Sequence, residues 1–163
     1  MSTKVGFYHL VLWPLEKALP TLVGKAYASG LKVVIMAGSA ERVAHLDTLL
    51  WTFEADSWLP HGTMRDLDAD RQPVYLTDGE ENPNAAPVLV LTDGVAPSEL
   101  DAYERCLVLF DGKDDAALAQ ARRQWSAWRR QGHELIYYQQ TEQGGWQEKT
   151  RTGPPPDGII ATD

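Results

Sequence analysis

The spacing of apolar residues changes repeatedly along the chain, and each change marks an element. Val5 to Leu12, with Phe7, Tyr8 and Val11, predicts a first strand ended by Trp13-Pro14. Leu15 to Ser29 has apolar residues three and four apart (Leu15, Ala18, Leu19, Leu22, Val23, Ala26) and predicts a helix stopped by Gly30. Pro20 fits poorly inside it, so either the helix proper begins near Pro20 or Leu15 to Leu19 form a separate turn. Leu31 to Ala37 is nearly continuously apolar, the pattern of a strand covered on both faces. Ser39 then caps a helix over Ala40 to Thr52.

Gly62 to Asp70 is polar and aperiodic and is read as a loop. Pro73 to Thr77 predicts a short strand, Asp78 to Pro87 a turn-rich excursion, and Pro87 to Asp93 a buried strand. A short turn or helix over Pro97 to Tyr103 leads to another buried strand, Arg105 to Phe110. A helix over Ala116 to Gln131 follows, capped by Asp114 or Asp115 and ended by Gly132. Glu134 to Gln140 is the last strand, with an edge position open to it, and Gly144-Gly145-Trp146 makes a turn. Strands alternating with helices imply one three-layer, Rossmann-like α/β domain with a mainly parallel sheet and right-handed crossovers. The domain is expected to occupy residues 1–149; the Gly- and Pro-rich residues 150–163 have the composition of a flexible tail.

Composition narrows the function. The net charge of -8 argues against direct binding to a phosphate backbone, which requires a broad basic surface. Residues 121 to 131 nevertheless hold Arg122, Arg123, Arg129 and Arg130 and no acid. The single cysteine, Cys106, excludes an internal disulfide and reads as a buried strand residue. No apolar run approaches the ~20 residues of a membrane span, and the N-terminus lacks the pattern of a signal peptide, so a cytoplasmic protein is expected.

Catalytic candidates are few. No Gly-x-Gly-x-x-Gly follows any strand, and Gly24-Lys25 and Gly112-Lys113 lack the upstream glycine of a phosphate loop, so no cofactor is expected. His45 and Asp47, two apart on a helix, do not face each other as a metal pair would. Asp66, Asp68 and Asp70 lack the glycine and closing glutamate of a calcium loop. His61 is either an acid–base group of a small enzyme or nucleotide-binding module, using the loops at the strand C-termini, or a loop hydrogen-bonding residue. The second role is favoured, because no nucleophile or carboxylate is positioned by sequence spacing to work with it.

On the helix over Ala116 to Gln131, Leu118, Arg122, Trp125 and Arg129 share one face, and Ala117, Ala121 and Trp128 the adjacent one. Two readings stand side by side. In one, Trp125 and Trp128 pack on the sheet. In the other, arginines and an aromatic wall form a groove for a peptide ending in an aromatic side chain and a carboxylate. A direct single-strand binder stacking bases on these tryptophans is disfavoured by the charge.

Three groups of residues resemble the chi subunits of the bacterial DNA polymerase III clamp-loader complex: Leu50-Trp51 with Ser57-Trp58-Leu59-Pro60-His61; Ala121-Arg122, Trp125, Trp128-Arg129 and Gly132; and Phe7-Tyr8 with Gly30-Leu31-Lys32-Val33. The resemblance implies a non-enzymatic accessory subunit in DNA replication, within a holoenzyme that has DNA polymerase activity. It implies that the last helix receives the acidic, Phe-terminated tail of single-stranded-DNA-binding protein. Arg122 would hold the terminal carboxylate, Trp125 would form the aromatic wall, and Arg129 would add charge for the acidic part. Ser126 stands where the family usually has a basic residue, and Arg123 or Arg130 would compensate. Trp51, Trp58, Leu59, Pro60 and His61 would contact the psi subunit or another clamp-loader component, and DNA would be met only indirectly.

Overall fold

The computed structural model describes residues 3–52, 61–63 and 69–151, with the backbone alone at Trp51. Among them an eight-stranded sheet has the order β3-β4-β2-β5-β6-β1-β7-β8. Its strands are β1 (Lys4–Leu10), β2 (Val33–Met36), β3 (Gly62–Thr63), β4 (Val74–Thr77), β5 (Val88–Leu91), β6 (Arg105–Asp111), β7 (Glu134–Gln140) and β8 (Trp146–Arg151). All neighbours pair parallel except β7 and β8. The helices are α1 (Leu15–Ala28), α2 (Ala40–Thr52) and α3 (Asp115–Arg130).

The alternation of strand side chains makes two cores, one on each face. Val33, Ile35, Leu76, Val90 and Leu109 pack with Leu19 and Val23 of α1 and Leu46 and Leu50 of α2. Phe7, Met36, Leu91, Val108 and Leu135 pack with Ala121, Trp125 and Trp128 of α3. Because β2, β4 and β5 are covered on both faces, every residue in them is buried, which is why they read as continuous apolar runs. The three-layer α/β arrangement is the one the sequence predicts.

Four differences from the sequence reading have physical causes. α1 is one unbroken helix with Pro20 inside it, so neither a late start nor a separate first turn occurs. Pro20 is buried, and its packing offsets the hydrogen bond its missing N–H withdraws. β1 ends at Leu10 rather than Leu12, because the amides of Leu12 and Trp13 turn to the side chain of Gln140 instead of a neighbouring strand. β3 lies in the stretch read as a loop; a two-residue Gly-Thr strand has no period to detect. β7 is not the edge. β8 covers it antiparallel, and Thr150 and Arg151, assigned by composition to a tail, pair with Tyr137 and Ile136.

Gly30, Ser39 and Asp114 do what their sequence positions predict. Gly30 takes a left-handed φ of 78° after α1, the Ser39 hydroxyl accepts from the Arg42 amide at 3.1 Å, and the Asp114 carboxylate accepts from the amides of Ala116 and Ala117 at 2.9 and 3.3 Å. Cys106 is fully buried, and burial pushes its thiol well above the ordinary range.

Candidate functional site

α3 is the most polarised element of the described chain. Its apolar positions seat it on β6, β1 and β7, and its remaining positions carry four arginines with no acid between Ala116 and Gln131. Trp125 packs against Phe7 with ring centroids 5.2 Å apart and against Tyr137 at 6.3 Å; Trp128 reaches Phe7 at 5.9 Å. Such aromatic clusters combine large buried area with specific tilted contacts. They fix the rotation of α3 on the sheet, and therefore where its arginines point.

On the side facing β5, the Gln120 and Gln124 amides donate to the carbonyls of Gly94 and Val95 at 2.9 and 3.1 Å. Arg123 is held along the helix by Gln120, its Nε and Nη2 donating to Oε1 at 3.1 and 2.8 Å. Arg122 is half-buried, whereas Arg123, Arg129 and Arg130 are exposed. α3 ends where Gly132, at φ 89°, donates to the Arg129 carbonyl and His133 to that of Trp128. The last-turn arginines thus sit at the negative end of the helix dipole.

Trp125 is fully buried and Ser126 is also buried. Packing of Trp125 and Trp128 on the sheet is therefore what the structure has, and Trp125 presents no exposed wall. A tryptophan at that helical position points at the sheet with Ala121 and Trp128, less than a quarter turn from the helix's inward line. The partly exposed apolar side chain one turn before Arg122 on the same face is Leu118, which packs at the margin of the core.

The other sites fall elsewhere. His61 is buried, and its Nε2 lies 3.0 Å from a carboxylate oxygen of Asp47 and 3.1 Å from the Asp47 carbonyl, so it ties β3 to α2. Among the described residues this is a hydrogen-bonding role. His45 lies near Glu16 at 3.6 Å, on the opposite side from Asp47, so the two do not form a metal pair. Trp58, Leu59 and Pro60 lie outside the described residues, as do the side chain of Trp51 and the acids Asp66 and Asp68. Among the described residues no group of three potential metal ligands occurs, and no helix is long and apolar enough to cross a membrane.

Two polar residues in the strands went unnoticed in the sequence. His9, third on the inward face of β1 after Val5 and Phe7, is hydrogen-bonded to the Tyr137 hydroxyl and lies beside Phe110. Burial lowers its pKa, against the opposing pull of Asp111, so the neutral ring is favoured. Gln140, at the end of β7, uses Oε1 to hold the amides of Leu12 and Trp13 at 2.9 and 2.8 Å, with Val11 at 3.4 Å. The signal available was a polar residue breaking an inward apolar alternation.

Comparison with known proteins identifies the family. Residues 1–136 match the family described as DNA polymerase III chi subunit, HolC, a span that contains α3 and the sheet from β1 through the start of β7. The probable DNA polymerase III subunit chi of Rickettsia prowazekii (strain Madrid E) is 36% identical over 95 residues, covering 58% of this chain and 56% of that protein. The matched segment thus spans about half the length of this curated relative. With a family match over most of its length, the chain belongs to the DNA polymerase III chi subunit family.

Proposed function

We propose that this chain is a non-catalytic accessory subunit of the DNA polymerase III holoenzyme. It links the clamp loader to single-stranded-DNA-binding protein by capturing that protein's acidic, Phe-terminated C-terminal tail. The observation that carries this reading is α3: four arginines and, after Asp115 in its first turn, no acid, on a helix locked to the sheet by Trp125 and Trp128, in a protein whose net charge is -8. A local basic strip on an acidic body attracts an acidic peptide while the rest of the surface repels the phosphate backbone.

Arg122 grips the terminal carboxylate, whose planar pair of oxygens suits a guanidinium fork. The terminal phenyl ring lies against Leu118, while Trp125, fully buried against Phe7 and Tyr137, holds α3 in place without touching that ring. Arg129 and Arg123 meet the acidic residues that precede the ring, and Ser126 leaves the groove without the basic group the family usually has there. The clamp-loader contact, with psi or another component, lies at the end of α2 around Trp51 to His61. α2 and α3 cover opposite faces of the sheet, so both partners can be held at once.

Calorimetric titration with the C-terminal peptide of the host's single-stranded-DNA-binding protein tests this reading. Binding is expected for the wild type, weakening as salt is added and lost in Arg122→Ala. No heat at low salt, or undiminished binding by a folded Arg122→Ala protein, removes the proposal.

A further inference from the structure

A cleft of about 740 Å3 opens at the C-terminal ends of β1, β5 and β6. β1 and β6 are neighbours, yet β1 leaves to α1 on one face and β6 to α3 on the other. Where two adjacent parallel strands send their connections to opposite faces, the backbones part and leave a crevice, the usual ligand position in open α/β sheets. The throat lies between Leu91, Val108 and Phe110 of the strands and Ala117 and Ala121 of α3, whose small side chains leave it open.

The mouth is apolar and held in place. Val11 and Leu12 line it and are 38% and 57% exposed; with Tyr27 they are the large apolar side chains left exposed among the described residues. Exposure here is not slackness, because Gln140 holds the amides of this turn. Around the mouth stand Glu16, Asp93, Asp111 and Asp114, against Lys113. Arg42 bonds Asp93 at 3.2 Å, which still leaves negative charge in excess.

We propose that this cleft is a docking site for a segment of a protein partner that carries an apolar side chain beside lysine or arginine. The apolar side chain enters the throat and adds to the area that Val11 and Leu12 bury, and the cation meets Glu16 and Asp111. This chemistry is the opposite of that on the arginine face. Ala121 lines the cleft while Arg122, the next residue, points about 100° away around the same helix. α3 therefore divides a site for a basic segment from a site for an acidic one, and charge keeps each partner from the other's place.

The test is an NMR titration of the full chain with two end-capped tetrapeptides, Arg-Leu-Phe-Arg and Glu-Leu-Phe-Glu. The basic peptide is expected to give saturable shifts at Val11, Leu12, Val95 and Ala117, and the acidic one none there. Leu12→Ser, which removes apolar area at the mouth without touching the core, is expected to weaken the basic peptide roughly tenfold. Glu16→Lys is expected to weaken it several-fold, and Arg122→Ala to leave it unchanged, which separates this site from the tail-binding one. Equal binding of both peptides, shifts confined to other surfaces, no saturable shift at millimolar peptide, or indifference to both Leu12→Ser and Glu16→Lys would each overturn the proposal.

Discussion

Replacing Gln140 removes a clamp whose contribution follows from its geometry. Its Oε1 accepts two well-formed hydrogen bonds, from Leu12 at 2.9 Å and Trp13 at 2.8 Å, and one long one from Val11 at 3.4 Å. The side chain is 4% exposed, and its Nε2 has no partner among the described residues. A net gain of about 1 kcal/mol for each good bond, with a smaller contribution from the long one and from lost packing, gives about 2–3 kcal/mol for Gln140→Ala. In a domain of this size the melting temperature is then expected to fall by about 4–12 °C. Gln140→Met separates the terms, since it restores most of the volume and none of the acceptor. Urea denaturation measures the stability, and hydrogen exchange reads the amides of Leu12 and Trp13, which are expected to lose protection in both variants. If Gln140→Met matches the wild type within about 0.5 kcal/mol and those amides exchange as before, the clamp contributes nothing and the reasoning fails.

Three further outcomes follow from named contacts. A Cβ on Gly112 would lie 1.8 Å from His9 Nε2, so Gly112→Ala is expected to cost about 1–3 kcal/mol, and His9→Ala to relieve most of that cost in a double-mutant cycle; additive costs would contradict the contact. Burial, helped by Tyr138 and opposed by Arg105, pushes the Tyr8 hydroxyl up to about 12 from an unfolded value of 10.0. A raised pKa gives stability that is complete below pH 10 and lost as pH climbs from 10 to 12, on the order of 2–3 kcal/mol. Absorbance at an alkaline tyrosine band should show Tyr8 ionising only as the protein unfolds, and ionisation near pH 10 in the folded state would refute this. Trp125→Ala empties a fully buried site and is expected to cost about 3–5 kcal/mol by chemical denaturation, against less than about 1 kcal/mol for Arg122→Ala; similar costs would mean that the two residues do not divide into core and surface roles.

The sequence carried the fold where burial imposes a period. β2, β4, β5 and β6 stood out because helices or loops cover both their faces, and α3 because its apolar and basic positions separate cleanly at helical spacing. β8 did not, since Trp-Gln-Glu-Lys-Thr-Arg lies largely exposed at the sheet's edge and is held by backbone pairing, which leaves no mark on side-chain pattern. Pro20 misled because local propensity was weighed without the packing that outweighs it. The arginine face of α3 was legible from charge alone, and packing of Trp125 on the sheet was one of the two readings its spacing allowed. Its helical position fits either core packing or an exposed aromatic wall, and only the sheet's aromatic residues, Phe7 and Tyr137, show that it is packed inside. The cleft was invisible for a related reason: its lining comes from β1, β5, β6, α1 and α3, brought together by strand order and not by any local motif.

The central claim is that Arg122 holds the terminal carboxylate of an acidic tail, and a double-mutant cycle between protein and peptide addresses that pair alone. Wild type and Arg122→Ala are each titrated with the C-terminal peptide of single-stranded-DNA-binding protein, once as the free acid and once amidated at its C-terminus. Amidation is expected to weaken binding to the wild type on the order of tenfold and to make little difference to Arg122→Ala, because the carboxylate's partner is already gone. Equal losses on amidation in both proteins would mean that the carboxylate is bound elsewhere, or not bound at all.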